Sequence, residues 1–298
     1  MPDNGSTLRN FFAKLGPKKA PVTRRQGETV AFKVTQTGNV VIIEGDRIRI
    51  DFAVEGIQLP PQVDPSFAVW ALLPRAMEEG FDIHIPHPID PKVKANAERL
   101  ARIWEMWVPS RYRSIKVSGE GEWSRIQNHR LPFIHFYSGG VDSTYSILQF
   151  SNNDSPAYVL TIDGFDYRGD WGPGAFHKLI VKTDPLLEKL NYRRIVIRTN
   201  AGCRPFKFTA GFSLASCAFL LSDLFEGSTL AADHSPEQDM ALIWPYLLGP
   251  AIMLPIHILL AQILACGPSL RLAVWKNSQP SLRVRSHCLF YPFVASMM

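Results

Sequence analysis

A chain of 298 residues, 46% hydrophobic and 20% charged, can bury a substantial core as one large domain or two, which excludes a disordered or fibrous class. Its net charge of +5 and pI near 9.0 are mildly basic and permit an RNA or polyphosphate partner without requiring one. The four cysteines, Cys203, Cys217, Cys266 and Cys288, are widely spaced with no C-x-x-C pair, so neither a disulfide framework nor a complete zinc site is signalled, and a reducing cytoplasm is the simplest home.

The first residues, MPDNGSTLRN, lack the apolar core of a secretory signal. Arg9, Lys14, Lys18, Lys19, Arg24 and Arg25 make residues 1–27 a basic tail, read as solvated and frayed in preference to an RNA-contacting arm. From Thr29 the pattern turns β. Val30, Phe32 and Val34 alternate, Gly38-Asn39 supplies a turn, and Val40 to Ile43 and Ile48 to Val54 give two further strands of an antiparallel meander. Pro65 opens a helix through Glu79, with a kink expected at Pro74 and an end at Gly80, and Phe81 to Ile85 makes a short strand. Asp90-Pro91 is a stronger helix start, because Asp caps the end and Pro fits the first helical position. Through Val108 that helix carries Ala97, Leu100, Ile103, Trp104 and Trp107 along one face, a core stripe. Ser114 to Ser118 adds a strand, and the polar run from Gly119 to Arg130 reads as a connection between an α+β region, 28–125, and a second unit, 126–298.

Leu131 to Leu148, LPFIHFYSGGVDSTYSIL, organises the second unit. An apolar strand runs into Ser138, Gly139, Gly140, Val141, Asp142 and Ser143, and then into a helix. A helix N-terminus presents unpaired N–H groups and a partial positive charge, so this turn is suited to a phosphate. It is not a Walker A loop, since no Gly-Lys-Ser/Thr follows, nor is it the G-x-G-x-x-G fingerprint. Ala157 to Ile162 is a second buried strand ending at Asp163-Gly164, a helix spans about Ala175 to Leu190, and Arg194 to Arg198 is a third strand. A helix over about Phe208 to Phe225 precedes a strand at Ser228 to Ala232 that ends in Asp233-His234-Ser235. The alternation implies an α/β class with an open parallel sheet, helices on both faces, and ligands at the carboxyl ends of the strands, where Ser138 to Ser143, Asp163, Thr199-Asn200, Asp233 and His234 fall. Gly211-Phe212-Ser213-Leu214-Ala215 has a nucleophile-elbow spacing but lies inside a helical pattern. From about residue 240 the chain is atypical: no charged side chain lies between Asp239 and Arg271, and no Asp or Glu follows. Tyr246 to Cys266 is apolar, yet Pro250, Pro255, His257 and Gln262 favour a buried segment over a membrane span.

The string SGGVDS after an apolar strand resembles the PP-loop of the ATP pyrophosphatase superfamily of adenine-nucleotide alpha-hydrolases. The blocks HPIDPKVKANAERLARIWEMWVP, FYSGGVDSTYSIL, IDGFD, RTN and LAADHSPEQD are similar to those of a poorly characterised bacterial group of that superfamily with a β-rich N-terminal region. The similarity reaches about residue 240, and only the PP-loop is a specific motif. Beyond it, Trp275-Lys276-Asn277 matches a block that such relatives follow with a Cys-rich motif, whereas Cys288 here has no neighbouring cysteine.

The resemblance implies a Rossmann-like sheet and an enzyme that binds ATP and Mg²⁺, adenylates a substrate with release of pyrophosphate, and lets a nitrogen or sulfur nucleophile displace AMP. It implies catalytic roles for Asp142, Ser138 and Ser143, and ATP contacts at Ser138, Gly139, Gly140, Val141, Asp142, Ser143, Thr144, Ile162, Asp163, Asp233 and His234. An acidic residue in a phosphate loop calls for a cation, which makes Asp142, with Asp233, the expected Mg²⁺ contact. Lys207 or Arg204 are weaker candidates for neutralising the triphosphate. Two alternatives stay open from the sequence: an ATP-binding protein without turnover, and a thiolase-like RNA-modifying enzyme held to RNA by its basic ends.

Overall fold

A computed structural model describes residues 27–123, 131–150, 157–165, 174–202, 210–231 and 293–296. The meander comes first: β1 (Thr29–Ala31), β2 (Lys33–Thr37), β3 (Val40–Gly45) and β4 (Ile48–Glu55). The run expected as one strand from Val30 to Val34 is divided at Phe32, whose buried ring packs on Phe81, so that β1 and β2 join different sheets. Gly45 makes that division possible, because a Cβ there would collide with the Ala31 carbonyl.

Helix α1 (Phe67–Glu79) carries Pro74 inside it and ends at Gly80, whose φ of 81° supplies the left-handed cap. After β5 (Asp82–Ile85), α2 (Pro91–Trp107) starts as its sequence dictates: Asp90 accepts from the Lys92 amide at 2.7 Å and Pro91 occupies the first turn. Ala97, Leu100 and Trp104 of the expected stripe are buried and Ile103 is half-buried. With β6 (Val117–Gly119), β1 and β5 form a three-stranded parallel sheet in the order β1-β5-β6.

The second half alternates as expected: β7 (Leu131–Phe136), α3 (Val141–Phe150), β8 (Ala157–Asp163), α4 (Ala175–Lys189), β9 (Tyr192–Thr199), α5 (Ala210–Leu220) and β10 (Phe225–Leu230), with β11 (Phe293–Ser296) after them. Strands β10, β7, β8 and β9 are parallel neighbours in that order. They are the core of an eight-stranded sheet, β11-β10-β7-β8-β9-β4-β3-β2, and here an expectation is corrected: the sheet is mixed, not parallel throughout. The meander supplies the difference. Hairpin-connected strands are antiparallel, and β4 hydrogen-bonds antiparallel to β9 through the pairs Phe52–Thr199 to Glu55–Val196, which covers an edge that would otherwise offer unpaired backbone groups. At the other end β11 pairs antiparallel to β10.

Side-chain alternation along the strands separates two faces. Ile134, Phe136, Leu160, Ile162, Ile195 and Ile197 join one large core with α1, α2 and α5, in which Trp70 stacks on Phe212 with centroids 6.4 Å apart and Trp104 meets Phe212 edge-on at 5.1 Å. Tyr137, Ile147, Val159, Leu187 and Tyr192 form a smaller cluster beneath α3 and α4. Two steps in one direction, β7 to β8 to β9, place α3 and α4 on one face; the return past β7 to β10 places α5 on the other, as right-handed crossovers require.

Candidate functional site

The chain reverses its direction of strand addition beside β7, since β8 lies on one side of it and β10 on the other. In open α/β sheets the crevice at the carboxyl ends of such a strand pair is where ligands bind. Ser138 to Ser143 leave β7 at this point.

The turn is built by its glycines. Gly139 has φ 74°, which favours glycine, and a Cβ on it would displace the end of the Leu179 side chain of α4 and stand 3.3 Å from the Thr183 methyl. The Gly140 carbonyl accepts from the Thr144 amide at 3.0 Å, which starts α3. The amides of Val141, Asp142 and Ser143 lie in its first turn, where helix geometry offers them no intrahelical acceptor. The two serines of the motif meet across the turn: their Oγ atoms are 3.2 Å apart, the Ser143 hydroxyl donates to the Gly140 carbonyl at 3.1 Å, and the Gly140 amide points to the Ser138 Oγ at 3.4 Å. Ser143 is buried, Ser138 is exposed, Asp142 and Thr144 are half-exposed, and Val141 is 83% exposed. The result is a short run of amides, two hydroxyls and one carboxylate at the positive end of a helix. It suits an anion with an accompanying cation.

The neighbouring strand end contributes differently. Ile162 is buried in the large core under α5. Asp163, on the opposite side of the strand, accepts from Arg198 Nη1 at 2.8 Å, while Arg198 Nε binds Glu55 at 2.9 Å. The guanidinium lies over Phe176, and Glu55, seconded by Asp163, holds its pKa above the usual arginine range. Gly164, with φ 117°, lets the end of β8 pass so close to the Thr199 carbonyl that a Cβ would collide with it. Asn200 is occupied by the sheet itself: its side chain accepts from the Asp51 amide and donates to the Arg49 carbonyl. Ser213, of the elbow-like string, lies within α5 and donates to the Ala201 carbonyl. Asp233, His234, Arg204, Lys207, Trp275 to Asn277, Cys288 and the apolar run from Tyr246 to Cys266 lie outside the described residues.

Two residues that sequence reasoning passed over lie in the polar layer under α3 and α4, Arg194 near the turn and His135 at the far end of α3 beside Phe150 and Tyr192. His135 of β7 binds Thr229 of β10 at 2.6 Å, and its burial pushes its pKa down to about 4. Arg194 of β9, with a side chain only 9% exposed, spans Asp184, Thr161 and Thr183. The signal for Arg194 is its spacing from Arg198: two arginines, four apart on one face of a strand otherwise rich in Ile and Val, mark a polar layer inside an α/β sandwich.

Among the described residues no group of three or more His, Cys, Asp or Glu side chains is placed to hold a metal ion, and no helix is long and apolar enough to cross a membrane. Mg²⁺ asks for less than such a cluster, since one or two carboxylates with phosphate oxygens and water complete its shell, and the half-exposed Asp142 beside the first-turn amides fits that donor set. Comparison of the chain with protein-family models, with curated proteins and with solved structures finds no match.

Proposed function

We propose that this chain is an ATP pyrophosphatase-type enzyme of the Rossmann-like, adenine-nucleotide alpha-hydrolase kind, which adenylates a substrate and releases pyrophosphate. The observation that carries the reading is the Ser138 to Ser143 turn: a strand-to-helix reversal at the sheet's switch point, with Gly139 at φ 74°, first-turn amides, two hydroxyls 3.2 Å apart and Asp142, and no lysine. A substrate oxygen attacks the α-phosphorus, the bond from that phosphorus to the oxygen bridging to the β-phosphorus breaks, and pyrophosphate leaves with the electron pair. Negative charge grows on the leaving oxygens, and donors already fixed in place stabilise it more than water does. Here those donors are the first-turn amides of Val141, Asp142 and Ser143 and the Ser138 hydroxyl, while the Ser143 hydroxyl holds the turn through the Gly140 carbonyl. Mg²⁺ held by Asp142 would supply charge neutralisation to the leaving pyrophosphate. A nitrogen or sulfur nucleophile then displaces AMP from the acceptor.

The reading is tested by incubating the protein with α-³²P-labelled ATP, Mg²⁺ and panels of metabolites and RNA. AMP and pyrophosphate that form with wild type and fall at least about a hundredfold in Asp142→Ala support it, since removing a charge-stabilising group from a transition state costs on that order. Tight ATP binding with no pyrophosphate under any condition rejects turnover in favour of a binding module. RNA affinity that falls steeply with salt would instead identify an RNA substrate.

A further inference from the structure

We propose that Arg194 is a positioning residue for the Ser138 to Ser143 turn, acting through Thr161, which holds the residue before the turn, and through Thr183, which anchors the stretch of α4 that backs Gly139. The inference rests on the anion-binding reading of that turn.

An arginine only donates, so the sense of every hydrogen bond around it is settled. Nη1 donates to the Thr161 hydroxyl at 2.7 Å, and that hydroxyl passes its own proton to the Tyr137 carbonyl at 3.0 Å. Tyr137 is the residue immediately before Ser138. Nη2 donates to the Thr183 hydroxyl at 2.6 Å, which in turn donates to the Leu179 carbonyl at 2.7 Å. Leu179 and Thr183 are the two side chains that fill the space beside Gly139. Nε and Nη2 both reach Asp184 at 2.9 Å, and the guanidinium lies 5.5 Å from the centre of the Tyr137 ring. One buried side chain on β9 thus clamps the carbonyl through which β7 enters the turn and the stretch of α4 against which the turn rests. Each threonine has one proton to give: Thr161 gives it to the residue before the turn, and Thr183 gives it back to its own helix, whose Leu179 side chain and Thr183 methyl stand beside Gly139.

The arrangement is specific to a planar fork. Lysine would keep the charge but could not span Thr161, Thr183 and Asp184 with fixed directions. An electrostatic role and a positioning role therefore separate: Arg194→Lys restores the first and not the second. Thr161→Val keeps the shape and removes only the hydroxyl that joins Arg194 to Tyr137.

The test measures two quantities on the full chain: binding of inorganic pyrophosphate with Mg²⁺, and amide hydrogen exchange over residues 138–143. Tyr192→Phe, which removes a buried hydroxyl contact to α3 on the same face, serves as the comparison. Arg194→Lys and Thr161→Val are each expected to weaken pyrophosphate binding about tenfold and to quicken exchange in the turn about tenfold, the scale of one lost hydrogen bond to a charged group, while Tyr192→Phe does neither. The proposal is overturned if turn exchange is unchanged in both variants, if Arg194→Lys binds pyrophosphate as wild type does, or if Tyr192→Phe loosens the turn equally. A wild-type protein that fails to bind pyrophosphate rejects the anion site, and turn exchange in Thr161→Val still decides whether the clamp exists.

Discussion

On one face of the large sheet, α1, α2 and α5 close over a continuous apolar layer that includes the fully buried rings of Trp70, Phe67, Phe212 and Phe219. On the other, α3 and α4 pack over a smaller apolar cluster of Tyr137, Ile147, Val159, Leu187 and Tyr192, and polar pairs share the layer: His135 against Thr229, Arg194 among Thr161, Thr183 and Asp184, and Asp163 against Arg198. Apolar burial is non-directional and grows with area, so the first face supplies stability. Buried hydrogen bonds add little net stability but fix direction, and the second face carries the Ser138 to Ser143 turn proposed as the anion site. The two faces should therefore fail differently when they are altered.

The largest effect is expected on the apolar face. Trp70→Ala should cost about 4 kcal/mol of unfolding free energy, the usual loss for a fully buried aromatic, read as a lower urea midpoint. Its Nε1 is buried with no hydrogen-bond partner, so Trp70→Phe should cost clearly less, because the ring contact with Phe212 is largely kept and an unsatisfied donor is removed. Equal losses in the two variants would mean that the indole contributes more than packing.

The polar face should reveal itself through pH. His135 is 5% exposed, and burial holds its folded pKa at about 4 against 6.5 when unfolded. Between those values the unfolded chain takes up a proton that the native chain refuses, so stability is full above pH 6.5 and declines as pH falls toward 4. At about 1.36 kcal/mol per pH unit the decline is about 3 kcal/mol. Urea titrations from pH 7 to 4 should show it, and His135→Leu should flatten that portion of the curve. An unchanged slope in His135→Leu would place the acid sensitivity elsewhere.

Gly139→Ala joins the two kinds of failure at one position. A positive φ costs an L-residue about 1 kcal/mol and the collision with Leu179 adds about as much again, so about 2 kcal/mol is expected. In the double variant with Leu179→Ala the steric part should vanish while the conformational part remains. The coupling read from a double-mutant cycle then measures how firmly α4 backs the turn. Full additivity would detach α4 from the turn.

Much of this was legible in the residues, and the places where it was not have physical causes. The cap at Asp90-Pro91, the stop at Gly80 and the Gly139-Gly140 reversal are local chemistry, and each lies where the sequence expects it. The alternation from β7 to β10 was readable for the same reason. Phe32 was not readable as a break between sheets, because the alternation of Val30, Phe32 and Val34 is uninterrupted and the close approach of Gly45 to the Ala31 carbonyl joins residues from different strands. The pairing of β4 with β9 joins residues more than 140 positions apart, a choice that local pattern does not encode. The same holds for Arg194: its neighbours Thr161 and Thr183 are ordinary in sequence and acquire meaning only where β8, β9 and α4 converge.

The smallest effect should come from Tyr192, and it bears directly on the contrast between the faces. The Tyr192 hydroxyl donates to the Ile147 carbonyl of α3 at 2.9 Å, and burial pushes its pKa up to about 12. Tyr192→Phe deletes that single bond and leaves the ring packed against His135, so about 1 kcal/mol is expected. The variant should also gain at alkaline pH relative to wild type. Unfolded tyrosine ionises near pH 10 while the buried group stays protonated to about 12, so wild type loses stability across that interval and a phenylalanine has no proton to lose. If the variants at Tyr192 and Arg194 cost similar stability yet only Arg194→Lys alters the turn, the polar face is divided into bonds that merely hold α3 down and bonds that aim the donors.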